Sequence, residues 1–404
     1  MLAVRPSNLK WTTGPRQGEP VEMDPACARV LKRLRKPDKC PPGWPDDWKA
    51  DGPPQVRRMS TIHRLSSEVM GASICVKIIN SPSRRGVDSK RLYAALRHYH
   101  DRSDRESGFT VPRPYGCLPK HGAIVMEWVE GRTFNDLLKQ DQFNTRKRHE
   151  NIRKVAGWLH WFHSQSDVEC ERLSAASQLD AIVEVFQESE GLDEAAMAGD
   201  PALLRHMSLA ARHAGVLDGV EVETAILHGD FKPTNLLFSP NGDVVGIDFS
   251  GVRRGPVTQD ICRFLIDLDF YRNLVRRSYA LSPGSRSNDF KVFLSAYGGK
   301  AGAVPRPAFL YLYFLAVLSA LVHQRRKFTP GASLWVRLTV FRSIARQLSG
   351  RIAPETRGSA AESGALSWFR NPRISAVRMS GAQIPVDWCI ILWDSDLVWS
   401  LLSF

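Results

Sequence analysis

HGDFKPTN, residues 228 to 235, and VVGIDFSG, residues 244 to 251, decide how this 404-residue chain reads. Phosphoryl transfer from ATP asks little covalent chemistry of a protein. It needs a carboxylate to orient and deprotonate an acceptor hydroxyl, and oxygen ligands for Mg2+ on the phosphates. Asp230, Asn235 five residues on, and Asp248 thirteen residues after that supply those residue types. Between them, Leu236-Leu237-Phe238 and Val244-Val245-Gly246-Ile247 are short apolar runs flanking Ser239-Pro240-Asn241-Gly242-Asp243. Asn-Gly is a strong hairpin-turn signal. The predicted hairpin folds Asp248 back beside Asn235, a pair of hard oxygen ligands suited to an octahedral Mg2+ that keeps some of its waters.

These stretches resemble the aminoglycoside phosphotransferase and choline kinase group of the protein-kinase-like fold, whose members carry His-Gly-Asp where protein kinases carry His-Arg-Asp. The resemblance implies an α+β, two-lobed architecture with a small β-rich N-lobe and a larger, mostly helical C-lobe. It implies Asp230 as the catalytic carboxylate, with Asn235 and Asp248 holding Mg2+. Lys232 resembles the catalytic-loop lysine of protein kinases, which neutralises the transferring phosphate, and stands with Asp230 as a catalytic candidate. Gly255-Pro256-Val257-Thr258-Gln259-Asp260 resembles the group's buried aspartate ahead of a C-lobe helix. Asp260 is then expected to brace the catalytic loop through its backbone, with His228 as scaffold and His160 and His163 as structural histidines packed near the loop.

An ATP-holding N-lobe lies upstream in the right order. Ile74-Cys75-Val76-Lys77-Ile78-Ile79 reads as an apolar strand with one lysine. An ammonium on a buried strand needs an anion, and the α and β phosphates of ATP are the expected one. The other reading of Lys77 is an edge-strand side chain that runs its stem out to solvent. Gly122 to Val129 reads as the last N-lobe strand entering the hinge, with Met126 as gatekeeper. The resemblance implies that the main chain of Glu127, Trp128 and Val129 contacts adenine. The segment before Lys77, Arg64 to Gly71, is not glycine-rich, so phosphate is expected at the Ser66 and Ser67 hydroxyls and nearby amides. The helix from about Asp88 to His100 has Leu92, or Arg91, where the group pairs a glutamate with the strand lysine. Lys77 is therefore expected to lack a fixed acidic partner before nucleotide arrives, with Asp88 and Glu106 as the candidates for one.

The chain divides by composition into a disordered, proline- and charge-rich extension (1–55), an ATP-binding N-lobe (56–130), a C-lobe (131–350) and a linker with an apolar tail (351–404). A short basic helix is expected near 25–36. C-lobe helices are expected near 148–164, 178–188, 201–214, 259–274, 307–322 and 334–348. The uncharged run at 307–322 is a little short for a bilayer and reads as a buried helix. Seven cysteines without metal spacing, and an N-terminus without the apolar core of a signal peptide, point to a reducing, cytoplasmic setting.

The net charge of +13 is uneven. Residues 325–378 hold eleven Lys/Arg against Glu355 and Glu362, a candidate contact surface for anionic lipid or another polyanion. Residues 167–200 hold ten Asp/Glu and only Arg172. They read equally as an acidic wall favouring a cationic or polyhydroxylated acceptor and as solvated helix faces. The eleven tryptophans form no stacking platform interleaved with basic residues, which argues against a nucleic-acid module.

The expected activity is ATP- and Mg2+-dependent phosphorylation of a hydroxyl on a small molecule. One alternative is a protein serine/threonine kinase-like enzyme. Against it, only about a dozen residues separate Asp248 from Asp260, without the Ala-Pro-Glu that closes an activation segment. The other is a catalytically weak nucleotide-binding relative, motivated by the missing helix glutamate and the poor phosphate loop. The apolar tail reads equally as a C-lobe contact, a dimer interface or a membrane contact.

Overall fold

A computed structural model describes residues 22–35, 44–57, 59–81, 83, 85–104, 106–141, 144–187, 201–249, 253–275, 288–298, 306–327 and 332–355. The N-lobe comprises α1 (Pro25–Leu34), β1 (Lys49–Ala50), β2 (Gln55–Val56), β3 (Ser60–Ser67), β4 (Ala72–Ile79), α2 (Arg85–His100), β5 (Phe109–Thr110), β6 (Pro114–Leu118) and β7 (Ala123–Glu127). Its antiparallel sheet runs β1-β3-β4-β7-β6, with β2 also paired to β3. Successive side chains on a strand point to opposite faces, and β4 uses both. Ile74 and Val76 are buried in a cluster with α1, whereas Lys77, between Val76 and Ile78, falls on the opposite face.

The helix α1 forms for local reasons. The Asp24 carboxylate accepts the Ala26 and Cys27 N–H groups at 2.8 and 3.2 Å, and Pro25 suits the first turn. Cys27, Val30, Leu31 and Leu34 recur at helical spacing and are buried against Trp48, Leu65, Ile74, Val76, Leu118 and Val125. Trp44 packs on Trp48 at 5.0 Å and on Tyr115 at 5.5 Å. The helix expected near 25–36 therefore forms over Pro25–Leu34, and disorder of the N-terminal extension is wrong for residues 44–55. Their apolar side chains cover a sheet face that the proline and charge content conceals. Residues 1–21 and 36–43 of that extension lie outside the described residues.

The C-lobe follows with β8 (Arg132–Thr133), α3 (Phe134–Gln140), α4 (Thr145–Ser164), β9 (Glu169–Arg172), α5 (Ala175–Gln187), α6 (Pro201–Leu217), β10 (Glu221–Ile226), β11 (Leu236–Phe238), β12 (Val244–Gly246), β13 (Arg254–Pro256), α7 (Thr258–Val275), α8 (Asn288–Tyr297), α9 (Arg306–Lys327) and α10 (Ala332–Glu355). Of these eight helices, α3 follows the Gly131 turn and six others meet the expected segments. The eighth, α8, has no expected counterpart, yet it buries Phe290, Phe293 and Tyr297 along one face. The apolar run of α9 is packed among α5, α6, α7 and α10, so a helix that is apolar nearly all round is a core helix here. No described helix is long and apolar enough to cross a membrane. The apolar tail, residues 328–331 and 356–378 of the basic stretch, and the acidic residues at 188–200 lie outside the described residues.

Two small sheets carry the loops of interest. One is antiparallel, β13-β10-β9; the other, β5-β12-β11-β8, has β12 parallel to β5 and its remaining pairs antiparallel.

Substituting Leu34→Ala removes a leucine that is 1 % exposed and should cost about 2–5 kcal/mol. The exposed neighbour Lys32→Ala should stay within about 0.5 kcal/mol of wild type. Denaturant unfolding of both variants checks this, and equal losses would mean α1 does not pack as described.

Candidate active site

The loop after β10 is built on one buried carboxylate. Asp260, in the first turn of α7, accepts the His228 N–H at 2.6 Å and the Gly229 N–H at 2.9 Å. It also takes the Nε2–H of His163 at 3.1 Å, and the Tyr297 hydroxyl lies 2.8 Å from the other ring nitrogen. Burial alone would raise the Asp260 pKa, but the His163 hydrogen bond and charge outweigh it, and the group lies below the usual carboxylate range. Asp260 thus braces the loop backbone as the resemblance implied. Burial lowers the His228 pKa, and the His228 ring is packed among Trp158, Phe162, Phe231 and Phe249. Gly229 has φ +81°, a left-handed conformation suited to glycine.

Beyond that brace, the loop presents Asp230. Its Oδ2 accepts from Lys232 Nζ at 2.5 Å and from Asn235 Nδ2 at 3.1 Å. Asn235 Nδ2 also donates to the Asp230 carbonyl at 2.9 Å, which turns the amide oxygen the other way. Arg263, one turn beyond Asp260 on α7, brings Nη2 to 3.8 Å from Asp230 Oδ1. Arg263 escaped the sequence reading, although its three-residue spacing from Asp260 was the available signal.

The predicted hairpin is present. Leu236 pairs with Gly246 and Phe238 with Val244, and the Ile247 N–H donates to the Asn235 carbonyl at 2.9 Å. A Cβ on Gly246 would come within 2.1 Å of the Trp158 indole, so only glycine lets β12 lie this close to α4. One residue after Ile247, Asp248 has φ +57°, which is uncommon outside glycine.

Asp248 meets the N-lobe. Lys77 Nζ lies 2.7 Å from its Oδ1 and Arg57 Nη1 lies 3.0 Å from its Oδ2. The expectation that Lys77 has no fixed acidic partner therefore fails: the counter-charge comes from the C-lobe, not from Asp88 or Glu106 on the helix side. Burial pushes the Asp248 pKa up, but Lys77 by charge and hydrogen bond, then Arg57 and Lys232, bring it down to about 2.

Ser66 and Ser67 do not belong to this site. In the β3–β4 register Lys77 faces Ile62, whereas Ser66 faces Ser73 and Ser67 faces Ala72. Four residues along a strand is about 13 Å. At that far end Ser67 Oγ donates to Asp47 at 2.5 Å, and Asp47 also accepts the Glu68 and Val69 N–H groups at 2.8 and 3.1 Å. The turn at the Lys77 end is Arg57 to Met59. It went unrecognised because it contains no glycine and precedes a strand that looked like loop.

At the hinge, Met126 faces Cys75 across β4 and β7. The Glu127 N–H donates to the Arg113 carbonyl at 2.8 Å and the Trp128 N–H to the Ser73 carbonyl at 3.1 Å. Those two donors are spent on the sheet rather than kept for a base. Arg64 sits over the Trp128 ring at 5.0 Å and pairs with Asp51 and Glu130, each at 2.6 Å, so the hinge is tied to β3.

The depressed Asp248 pKa gives a pH signature. A carboxylate whose pKa falls on folding stabilises the fold above its unfolded value of roughly 3.9, and that contribution is lost as pH falls through the folded value. The stability difference between wild type and Asp248→Asn should therefore shrink by about 2 kcal/mol between pH 5 and pH 2. Unfolding curves across that range test it; a difference independent of pH would remove the ion pairs from the solution structure.

No curated protein matches the sequence. Solved structures similar to it include the choline kinase LicA of Streptococcus pneumoniae, at 13 % identity and TM-score 0.47 over 75 % of this chain and 94 % of that one. The ethanolamine kinase of Plasmodium vivax matches at 9 % identity and TM-score 0.47 over 78 % and 86 %. An aminoglycoside phosphotransferase of Alicyclobacillus acidocaldarius matches at 16 % and TM-score 0.39 over 76 % and 92 %. The family model described as the phosphotransferase enzyme family matches residues 71–282. That span exceeds half of the chain and contains Lys77, the braced loop, Asp248 and Arg263, so the chain belongs to the phosphotransferase enzyme family and is a kinase acting on a hydroxyl acceptor.

Proposed function

We propose that the chain transfers the γ-phosphoryl group of ATP, with Mg2+, to a hydroxyl of a small molecule. The observation that carries this reading is the convergence on one cleft of Asp230, Asn235 and Asp248 from the C-lobe with Lys77 from the N-lobe. The donor set suits a hard divalent ion: the Asp248 carboxylate and the outward-turned Asn235 amide oxygen are brought together by the hairpin. Asn235 and Asp248 would hold Mg2+ there, and the bound ion would supply charge that offsets the phosphates. Lys77 would bind the α and β phosphates. Adenine would lie against Met126 and meet the hinge through the Glu127 carbonyl and the Val129 N–H, since the Glu127 and Trp128 N–H groups are already bonded. Asp230 would orient the acceptor hydroxyl and take its proton, and Lys232, 2.5 Å away, would offset charge on the moving phosphoryl group.

The Asp230 side chain is 37 % exposed, so an acceptor hydroxyl can reach its carboxylate. The short connection between Asp248 and Asp260 leaves no length for a peptide-docking segment, which favours a small molecule over a protein acceptor.

Asp230→Asn keeps the side-chain shape and removes its basicity. Phosphate incorporation from ATP into pooled hydroxyl metabolites should fall by at least ~100-fold in this variant, with ATP affinity little changed. Retention of near-normal turnover on the acceptor found in the screen would move the proton-accepting role away from Asp230.

A further inference from the structure

Arg57 lies outside the span that matches the family model, and nothing in that pattern accounts for it. Its turn is fixed over the Lys77 end of the sheet. The Arg57 N–H donates to the Ser60 carbonyl at 2.9 Å, Asn80 Nδ2 to the Arg57 carbonyl at 2.8 Å, and the Asn80 N–H to the Met59 carbonyl at 3.0 Å. Asn80 follows directly on β4, three residues beyond Lys77. From this anchored turn the guanidinium reaches across the cleft to one oxygen of Asp248 while Lys77 takes the other. All three side chains are largely withdrawn from water, at 25 %, 14 % and 21 % exposure for Arg57, Lys77 and Asp248.

Arg57 and Lys77 thus occupy both oxygens of Asp248 in a partly desolvated cleft. If Asp248 is to hold a divalent ion, the two cations compete with that ion for the same two oxygens. Where the ion displaces them they need new anions, and the phosphates that arrive with the metal are the ones at hand. A guanidinium presents a planar fork that bonds two phosphate oxygens at once, which an ammonium cannot do. The chain has no glycine from residue 53 to residue 70, so this turn has no flexible run of backbone amides with which to wrap a polyphosphate.

We propose that Arg57 is a nucleotide-binding residue whose guanidinium takes the β and γ phosphates in place of a glycine-rich loop, and that it releases Asp248 to the metal as it does so. This rests on the reading of the cleft as an ATP site. The phosphates therefore act as the key to the metal site, because the exchange needs both partners. Divalent ion alone competes against two fixed cations for one carboxylate.

Calorimetry with ATP and with adenosine, each with and without Mg2+, tests this on the full chain. Arg57→Ala and Arg57→Gln should weaken ATP binding by about 10- to 100-fold in both conditions, with adenosine binding unchanged. Arg57→Lys should recover only part of the loss. Thermal melts verify that the variants are folded, and Lys77→Ala serves as comparator. If wild type and Arg57→Ala bind ATP within twofold of each other while Lys77→Ala is impaired, the ATP site stands and the role of Arg57 falls. An equal loss of adenosine affinity would likewise overturn it in favour of a structural role. Wild-type chain that binds no ATP at all would overturn the role and the functional reading together.

Discussion

The Asp260 carboxylate is the constraint on which the catalytic side depends. A buried carboxylate is costly unless its lone pairs are met by donors, and here the donors are two consecutive loop N–H groups and a histidine held in turn by Tyr297. One charge thereby sets the positions of α4, α7, α8 and the loop relative to one another. Gly229 takes its left-handed conformation under that restraint, and the placement of Asp230 and Asn235 follows from it.

Asp248 is a carboxylate of the opposite kind. Its partners are the ends of long side chains from the other lobe, which can be exchanged without disturbing any backbone. The cleft thus joins a permanent charge, satisfied by main chain and ring, to a provisional one, satisfied by an ammonium and a guanidinium. The first gives geometry to the loop. The second gives the two lobes an electrostatic reason to stay closed while the phosphates are absent.

Much of this was legible in the residues. The carboxylates, the Asn-Gly hairpin and the buried strand lysine are encoded by short-range spacing, and six of the C-lobe helices by period. Legibility failed where the decisive relation was long-range. The partner of Lys77 is 171 residues away, so searching the neighbouring helix for an acid could not find it. The Ser66 and Ser67 assignment failed because β3, with its mixed polar content, reads as loop; a hidden strand moves the phosphate turn to the other end of its hairpin. A helix near 25–36 was readable, but its docking on the sheet through Cys27, Val30, Leu31 and Leu34 was not, because the surrounding prolines and charges conceal it.

That N-terminal helix bears on where the protein, as a physical object, begins. Residues 71–282 define the family match and include Lys77, Asp230, Asn235 and Asp248. Cutting the gene to that interval would delete α1 and β1 to β3, leaving β4 at a raw sheet edge and the side chains of Ile74, Val76 and Val125 facing water. Unpaired edges and contiguous apolar patches invite self-association. An expression fragment drawn from motif boundaries would hold nearly every reactive group and still be a poor protein. A fragment that keeps this sheet covered should instead begin before Asp24, at the cap of a helix on the face opposite Lys77.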